Sequence, residues 1–278
     1  MEKIAKALEK ARRQRDAQST ATPAVAPAPL ADGVGTAGAP RYQSTRVISS
    51  DRTTLKERRV VAGITPSSGH NPMELADAFR ILRTRVYQQM SATGGTTLAV
   101  TSPNMSEGKT VVAANLAISL TQFSQHTVLL VDVDLRRPAM HKIFEIEPRP
   151  GLGDYLLKGT PLSDCLVSPD IDGLVVLPSG GSLARSSETL SSDRMTALAA
   201  EMKNRYPDRL VVYDLPPLLP TDDAIVFLGN ADASLLVIEE GRTRRGDIER
   251  AIELLANHNM IGTVLNKATS TSGAYSYY

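Results

Sequence analysis

Tryptophan is absent from this 278-residue chain, cysteine occurs once, and the aromatic complement stops at four phenylalanines and eight tyrosines. A lone cysteine, Cys165, excludes an intramolecular disulfide framework. The four histidines, His70, His126, His141 and His258, are scattered without the spacing that binds zinc. Charge of one sign is also missing: 31 Lys+Arg stand against 30 Asp+Glu, which argues against a general nucleic-acid binder. No apolar run approaches the roughly 20 residues that a membrane span needs. The N-terminal MEKIAKALEKARRQR is charged throughout and has no apolar signal core, so the expected location is the cytoplasm. What the chain does have is an oddly placed surplus: Tyr275, Tyr277 and Tyr278 crowd the last four positions, where no hydrophobic core calls for them.

Four segments are expected. Residues 1–18 carry an amphipathic basic helix, with Ile4 and Leu8 four apart among lysines and arginines, either a solvated, fraying helix or one suited to docking on a partner or an anionic surface. Residues 19–70 form a linker, rich in Ala, Pro and Gly over 21–40, followed by a basic stretch at Lys56–Arg59. Residues 71–270 form one domain, and 271–278 a tyrosine-rich tail. Within the domain a helix begins near Pro72, with Leu75, Phe79, Leu82 and Val86 on one face. Short apolar runs then alternate with helical ones. The strands read Thr97–Thr101, Thr127–Val133, Gly173–Leu177, Leu210–Tyr213, Ser234–Ile238 and Gly262–Leu265, and most are unbroken apolar runs, as strands covered on both faces are. The fold class is therefore α/β, a doubly wound, mostly parallel sheet, with its ligand at the carboxyl ends of the strands.

Three such ends carry chemistry. TSPNMSEGKT, residues 101–110, leads from a strand into a helix. A loop in that position aims backbone N–H groups and the helix dipole at phosphate, so Asn104, Met105, Ser106, Glu107, Gly108, Lys109 and Thr110 are candidate phosphate contacts. Lys109 would reach the β/γ oxygens and the Thr110 hydroxyl would bind Mg²⁺. The G-x-x-x-x-G-K-[ST] pattern is incomplete, Pro103 standing at its first glycine, and a bare GKT also fits a surface turn. The run TVLLVDVDLRRP, 127–138, ends in Asp132 and Asp134, on one side of an extended chain. Such carboxylates either cap the following turn or, beside a phosphate loop, require Mg²⁺ between themselves and the ligand. LVVYDLPPLL, 210–219, places Asp214 after four apolar residues, the Walker B arrangement, and its prolines are expected to stop the strand and turn the chain away. A nucleotide–Mg²⁺ complex is the simplest tenant.

This order of motifs resembles the bacterial tyrosine autokinases of exopolysaccharide and capsule synthesis, which belong with the partition and septum-positioning ATPases among the deviant-Walker P-loop NTPases. The resemblance covers roughly 72–278. D-x-D-x-R, here Asp132, Asp134 and Arg136, separates the kinases from those relatives. DAFRILR, 77–83, is similar to the family's oligomerisation motif E-x-x-R-x-x-R, with Asp77, Arg80 and Arg83 in register. GLGDYL at 151–156 and VLNK at 264–267 also fit, and the N-terminal EKIAKALEKA is similar to exosortase-associated members. The resemblance implies ATP and Mg²⁺ as cofactors, Asn266 near the adenine, Arg136 in the nucleotide site, and Thr110, Asp132 and Asp214 around the metal. Lys109, Asp132, Asp134 and Asp214 would be catalytic, Asp132 orienting or deprotonating the incoming tyrosine. Tyr275, Tyr277 and Tyr278 would be acceptors, phosphorylated in trans within a homo-oligomeric ring. Fused members carry two membrane-spanning helices, so the implied partners are a separate membrane-embedded polysaccharide co-polymerase that recruits the chain to the inner face of the plasma membrane, and a phosphotyrosine phosphatase. The family loop commonly reads P-G-x-G-K-[ST], whereas Met105 and Ser106 stand here at the proline and glycine. Glycine serves where positive φ is needed, so Ser106 is expected to alter the loop. A partition-type regulatory ATPase and a non-catalytic docking subunit remain the alternatives, although the former usually carries a second, earlier lysine in its loop.

Overall fold

The computed structural model describes residues 46–47 and 72–268 apart from 123–125, 148 and 207. The chain divides into two units, Met1–Arg41 and Tyr42–Tyr278. The expected helix at 1–18, most of the linker at 19–70 and the tail at 271–278 lie outside the described residues.

In chain order the elements are β1 (Arg46–Val47), α1 (Pro72–Thr93), β2 (Thr97–Thr101), α2 (Lys109–Thr121), β3 (Thr127–Asp132), α3 (Met140–Ile143), α4 (Leu152–Lys158), α5 (Leu162–Cys165) and β4 (Val167–Ser168). There follow β5 (Leu174–Leu177), α6 (Ser186–Leu190), α7 (Asp193–Asn204), β6 (Arg209–Asp214), α8 (Asp223–Leu228), β7 (Ala233–Glu239), α9 (Arg245–Leu255) and β8 (Met260–Asn266). Eight strands form one sheet in the order β1-β4-β5-β3-β6-β2-β7-β8, parallel except for the β4–β5 pair.

Side chains of a strand alternate between its faces, and here both faces are covered. Leu98, Val100, Val128 and Leu130 point into a core with Phe79, Val86 and Met90 of α1 and Val112, Leu116 and Leu120 of α2. Ala99, Leu129, Val131, Val211 and Tyr213 face the opposite core, with Met195 and Leu198 of α7, Phe227 of α8 and Leu255 of α9. The expected apolar face of α1 is present, except that Leu75 near its start stays exposed.

Two short strands, β1 and β4, and the helices α3, α4, α5, α6 and α8 escape the sequence pattern. The helices run four to seven residues, too short to repeat an amphipathic period twice. Arg46 and Val47, expected in the linker, pair with Val167 and Ser168 at the edge of the sheet.

The strand order matters most for the site. β6 lies between β2 and β3, so the chain leaving β3 reaches the phosphate loop across an intervening strand and not from the neighbouring one. Asp132 pairs in register with Asp214, and Val100 with the same Asp214 from the other side. The Walker B-like aspartate is thus central.

Candidate active site

The loop after β2 is held from three directions. From within, Glu107 is buried, its carboxylate accepting the Asn104 backbone N–H at 2.9 Å and the Thr243 hydroxyl at 2.7 Å. Asn104 Nδ2 donates to Asp247 Oδ2 at 3.1 Å. From β8, Asn266 Nδ2 donates to the Glu107 carbonyl at 2.8 Å. From the segment after β6, the Leu218 and Leu219 N–H groups donate to the carbonyls of Ser102 and Pro103 at 2.9 and 3.1 Å. The prolines at 216–217 therefore end β6 without turning the chain away, because it continues beside the loop.

Gly108 precedes α2 at φ 92°, where a side chain is disfavoured, and a Cβ there would come within 2.1 Å of Asn266 Nδ2. Ser106 is also left-handed, at φ 65°, so serine occupies a conformation that glycine adopts more easily. The 13-residue α2 has no acidic residue in its first turn and no side-chain cap. Its N-terminal dipole is left available to an anion.

Lys109, the first residue of α2, is buried. Its Nζ lies 2.9 Å from Asp134 Oδ2, 3.8 Å from Asp214 Oδ1 and 3.5 Å from the Thr110 hydroxyl. Burial alone would lower its pKa, but Asp214 and Asp134 outweigh burial and hold it above the ordinary lysine value. Asp214 is fully buried, and neither of its oxygens has a hydrogen-bond partner among the described residues. Burial pushes its carboxyl up to about 6 against the opposing pull of Lys109. Burial, then the charge of Asp214, raises Asp132 to about 8. Two carboxylates, Asp134 and Asp214, lie within 4 Å of one ammonium, an arrangement that a divalent cation beside bound phosphate would balance. An orphaned carboxylate beside the Thr110 hydroxyl fits a hydrated Mg²⁺. Among the described residues no three His, Cys, Asp or Glu side chains form a metal cage, so remaining ligands would come from water and phosphate.

Three of the expected site residues make contacts of another kind. Asp132 has both oxygens occupied, Oδ1 by the Asp134 N–H at 3.2 Å and Oδ2 by the N–H of Met140, the first residue of α3, at 3.1 Å. It holds the turn that carries Asp134, and each of its oxygens accepts one backbone N–H. Asp134, among the expected catalytic carboxylates, lies on Lys109. Arg136 does not point into the nucleotide site: its Nε donates to buried Asp223 Oδ2 at 3.1 Å, and Ser186 Oγ donates to the same oxygen at 2.7 Å. The arginine on the phosphate loop is its neighbour Arg137, whose Nη1 reaches Met105 Sδ at 2.9 Å. Nothing in an Arg-Arg pair tells which side chain turns inward. Asn266, expected near an adenine, braces the loop backbone.

On α1, Asp77 and Arg80 form an exposed ion pair within the helix. Arg83 instead donates to the Ser119 carbonyl at 3.0 Å and fastens α1 to α2. The expected interface triad is thus split, two residues facing outward and one bound within the chain.

A lysine at the start of a helix, a buried aspartate ending the adjoining parallel strand and a positive-φ glycine between strand and helix define a P-loop nucleotide-binding domain. The CobQ/CobB/MinD/ParA nucleotide binding domain matches residues 98–275. The chain is 32% identical over 234 residues to tyrosine-protein kinase YwqD of Bacillus subtilis (strain 168), covering 83% of this chain and 95% of that protein. The kinase domain of the Escherichia coli tyrosine kinase ETK superposes with a TM-score of 0.67 at 30% identity, covering 84% of this chain and 92% of that one. ExoP, a succinoglycan biosynthesis transport protein of Rhizobium meliloti (strain 1021), is 31% identical over 207 residues, 72% of this chain but only 26% of that protein. The chain belongs to this deviant-Walker P-loop family, in its branch of bacterial tyrosine-protein kinases.

Proposed function

We propose that this chain uses ATP and Mg²⁺ to phosphorylate Tyr275, Tyr277 and Tyr278 of another copy of itself, and that the modification regulates exopolysaccharide polymerisation or export. The observation that carries this reading is the Lys109–Asp134–Asp214 cluster at the open N-terminus of α2, where buried Asp214 faces the ammonium at 3.8 Å with neither oxygen hydrogen-bonded among the described residues. Mg²⁺, when bound, neutralises charge on the transferring phosphoryl group. Lys109 and the loop N–H groups hold the phosphates; Thr110 and Asp214 hold the metal; Asp134 orients Lys109 and supplies the carboxylate nearest an incoming hydroxyl. The net reaction converts ATP and tyrosine to ADP and phosphotyrosine. Phosphoryl transfer needs positioning and electrostatic stabilisation more than covalent catalysis, and these residues are of the kind that provides them.

Trans transfer within a ring, built through the α1 surface around Asp77 and Arg80, is part of the proposal. So are recruitment to the membrane by a separate co-polymerase and reversal by a phosphotyrosine phosphatase. Among the described residues no helix is long and apolar enough to cross a membrane. Incubation with γ-labelled ATP and Mg²⁺ tests the core claim. Label on tyrosine, lost in Lys109→Ala and in the triple Tyr→Phe tail variant, is expected. Free phosphate without phosphotyrosine would indicate a regulatory ATPase, and neither product a docking subunit.

A further inference from the structure

The phosphate loop contains a strained residue that its own sequence does not explain, and the end of β8 holds it in place. Ser106 lies at φ 65°. Facing it, Lys267 lies at φ 58°, a second non-glycine residue in the left-handed region. Lys267 Nζ donates to the Ser106 carbonyl at 2.7 Å and to Glu239 Oε2, at the end of β7, at 2.9 Å. The preceding side chain, Asn266, donates to the next carbonyl of the loop, that of Glu107. Two successive loop carbonyls are therefore fixed by two successive residues leaving the sheet.

In a trans peptide the C=O of one residue and the N–H of the next point in opposite directions. Holding the Ser106 and Glu107 carbonyls toward β8 turns the N–H groups of Glu107 and Gly108 the other way, and these belong to the residues just before Lys109. Left to itself, a serine at positive φ favours the negative-φ regions, whose different φ and ψ together would redirect its carbonyl. Glycine has no such preference.

We infer that Lys267, anchored by Glu239, is a positioning residue that keeps the Ser106–Glu107 peptide in the phosphate-binding orientation, doing for a serine-containing loop what glycine does for itself. The inference rests on the nucleotide-site reading and adds a specific dependence: the importance of Lys267 is set by the residue at 106. Preorganised donors bind an anion without reorganisation, so the clasp contributes to nucleotide affinity without touching the nucleotide.

The test is a double-mutant cycle on the full chain, with the dissociation constant of Mg·ADP read by fluorescence of a labelled ADP and folding followed by thermal melting. Lys267→Met is expected to weaken Mg·ADP about tenfold with little change in melting temperature, and Lys267→Arg to restore most of the affinity. In the Ser106→Gly background the same Lys267→Met change is expected to cost no more than about twofold. Glu239→Gln, which leaves the loop contacts unaltered, should give a smaller loss in the same direction and serves if Lys267→Met folds poorly. Equal losses in both backgrounds, or no loss in Lys267→Met, would overturn the clasp while leaving the nucleotide site standing. Failure of the unmodified chain to bind Mg·ADP would overturn both.

Discussion

Lys109 Nζ lies 2.9 Å from Asp134 Oδ2, although one residue starts the helix after β2 and the other follows β3, with β6 between those strands. The contact is possible because Asp134 lies beyond the end of β3 on a turn anchored by Asp132. In the absence of phosphate the lysine is balanced by carboxylates; with phosphate present those carboxylates repel the ligand unless a cation intervenes.

This arrangement predicts a strong magnesium requirement for nucleotide binding. Asp134→Asn removes one charge about 3 Å from the ammonium, and is expected to raise the affinity for Mg²⁺-free ADP by at least about tenfold while reducing phosphotyrosine formation. Titration calorimetry with and without Mg²⁺ reads the first effect. An unaltered metal dependence in the variant would contradict the electrostatic account.

Asp214→Asn should instead leave Mg²⁺-free binding nearly as it is and abolish the gain conferred by Mg²⁺, with phosphotransfer falling by about 10²-fold or more. Retained magnesium-dependent turnover would show that the orphaned carboxylate is not a metal contact.

The raised carboxyl of Asp132 makes the unliganded protein sensitive to alkali. A group whose pKa in the folded state lies above its unfolded value binds more protons when folded, so its stabilising contribution is fully present below about pH 4 and lost as pH rises through about 8. Between those limits the melting temperature of the unliganded protein should fall with pH. Asp132→Asn, which cannot titrate, should have a flatter profile; parallel profiles would locate the titration elsewhere.

The two adjacent arginines should separate by phenotype. Arg136→Ala leaves buried Asp223 with Ser186 as its remaining side-chain partner and is expected to lower the melting temperature by about 2–4 °C, the effect of about 1 kcal/mol in a domain of this size. Arg137→Ala removes a contact with the exposed Met105 and should weaken Mg·ADP binding with no such thermal change. Reversed phenotypes would restore Arg136 to the nucleotide site.

Each phosphotyrosine adds about −1.5 to −2 charges, so full modification of the tail would add roughly five or six. That charge should be repelled by the Asp132–Asp134–Asp214 cluster and drive dissociation of the proposed ring. Light scattering before and after phosphatase treatment measures the outcome, and an oligomer indifferent to modification would dissociate the tail from assembly.

The sequence by itself determined the sheet and pointed to the strand ends where the chemistry is proposed. Unbroken apolar runs mark strands buried on both faces, and Gly108, Lys109, Thr110 and Asp214 stand at strand ends in an order that few other sites share. It also exposed Ser106 as a departure where glycine is useful, and the left-handed φ of that residue is the form the departure takes. Tertiary structure alone decided the lateral order of strands, because periodicity records which faces are buried and not which strand lies beside which. The insertion of β6 between β2 and β3 sets Asp214 at the end of the strand beside β2, while Asp132 accepts from the start of α3 and Asp134 takes the lysine contact. Long-range partners were equally hidden: Asp223 claims Arg136, and Lys267 closes on Ser106 across 161 residues of sequence. Such pairings arise only when the sheet has brought distant strand ends together, since the hydrogen bonds that select them act over about 3 Å and leave no periodic trace in the chain.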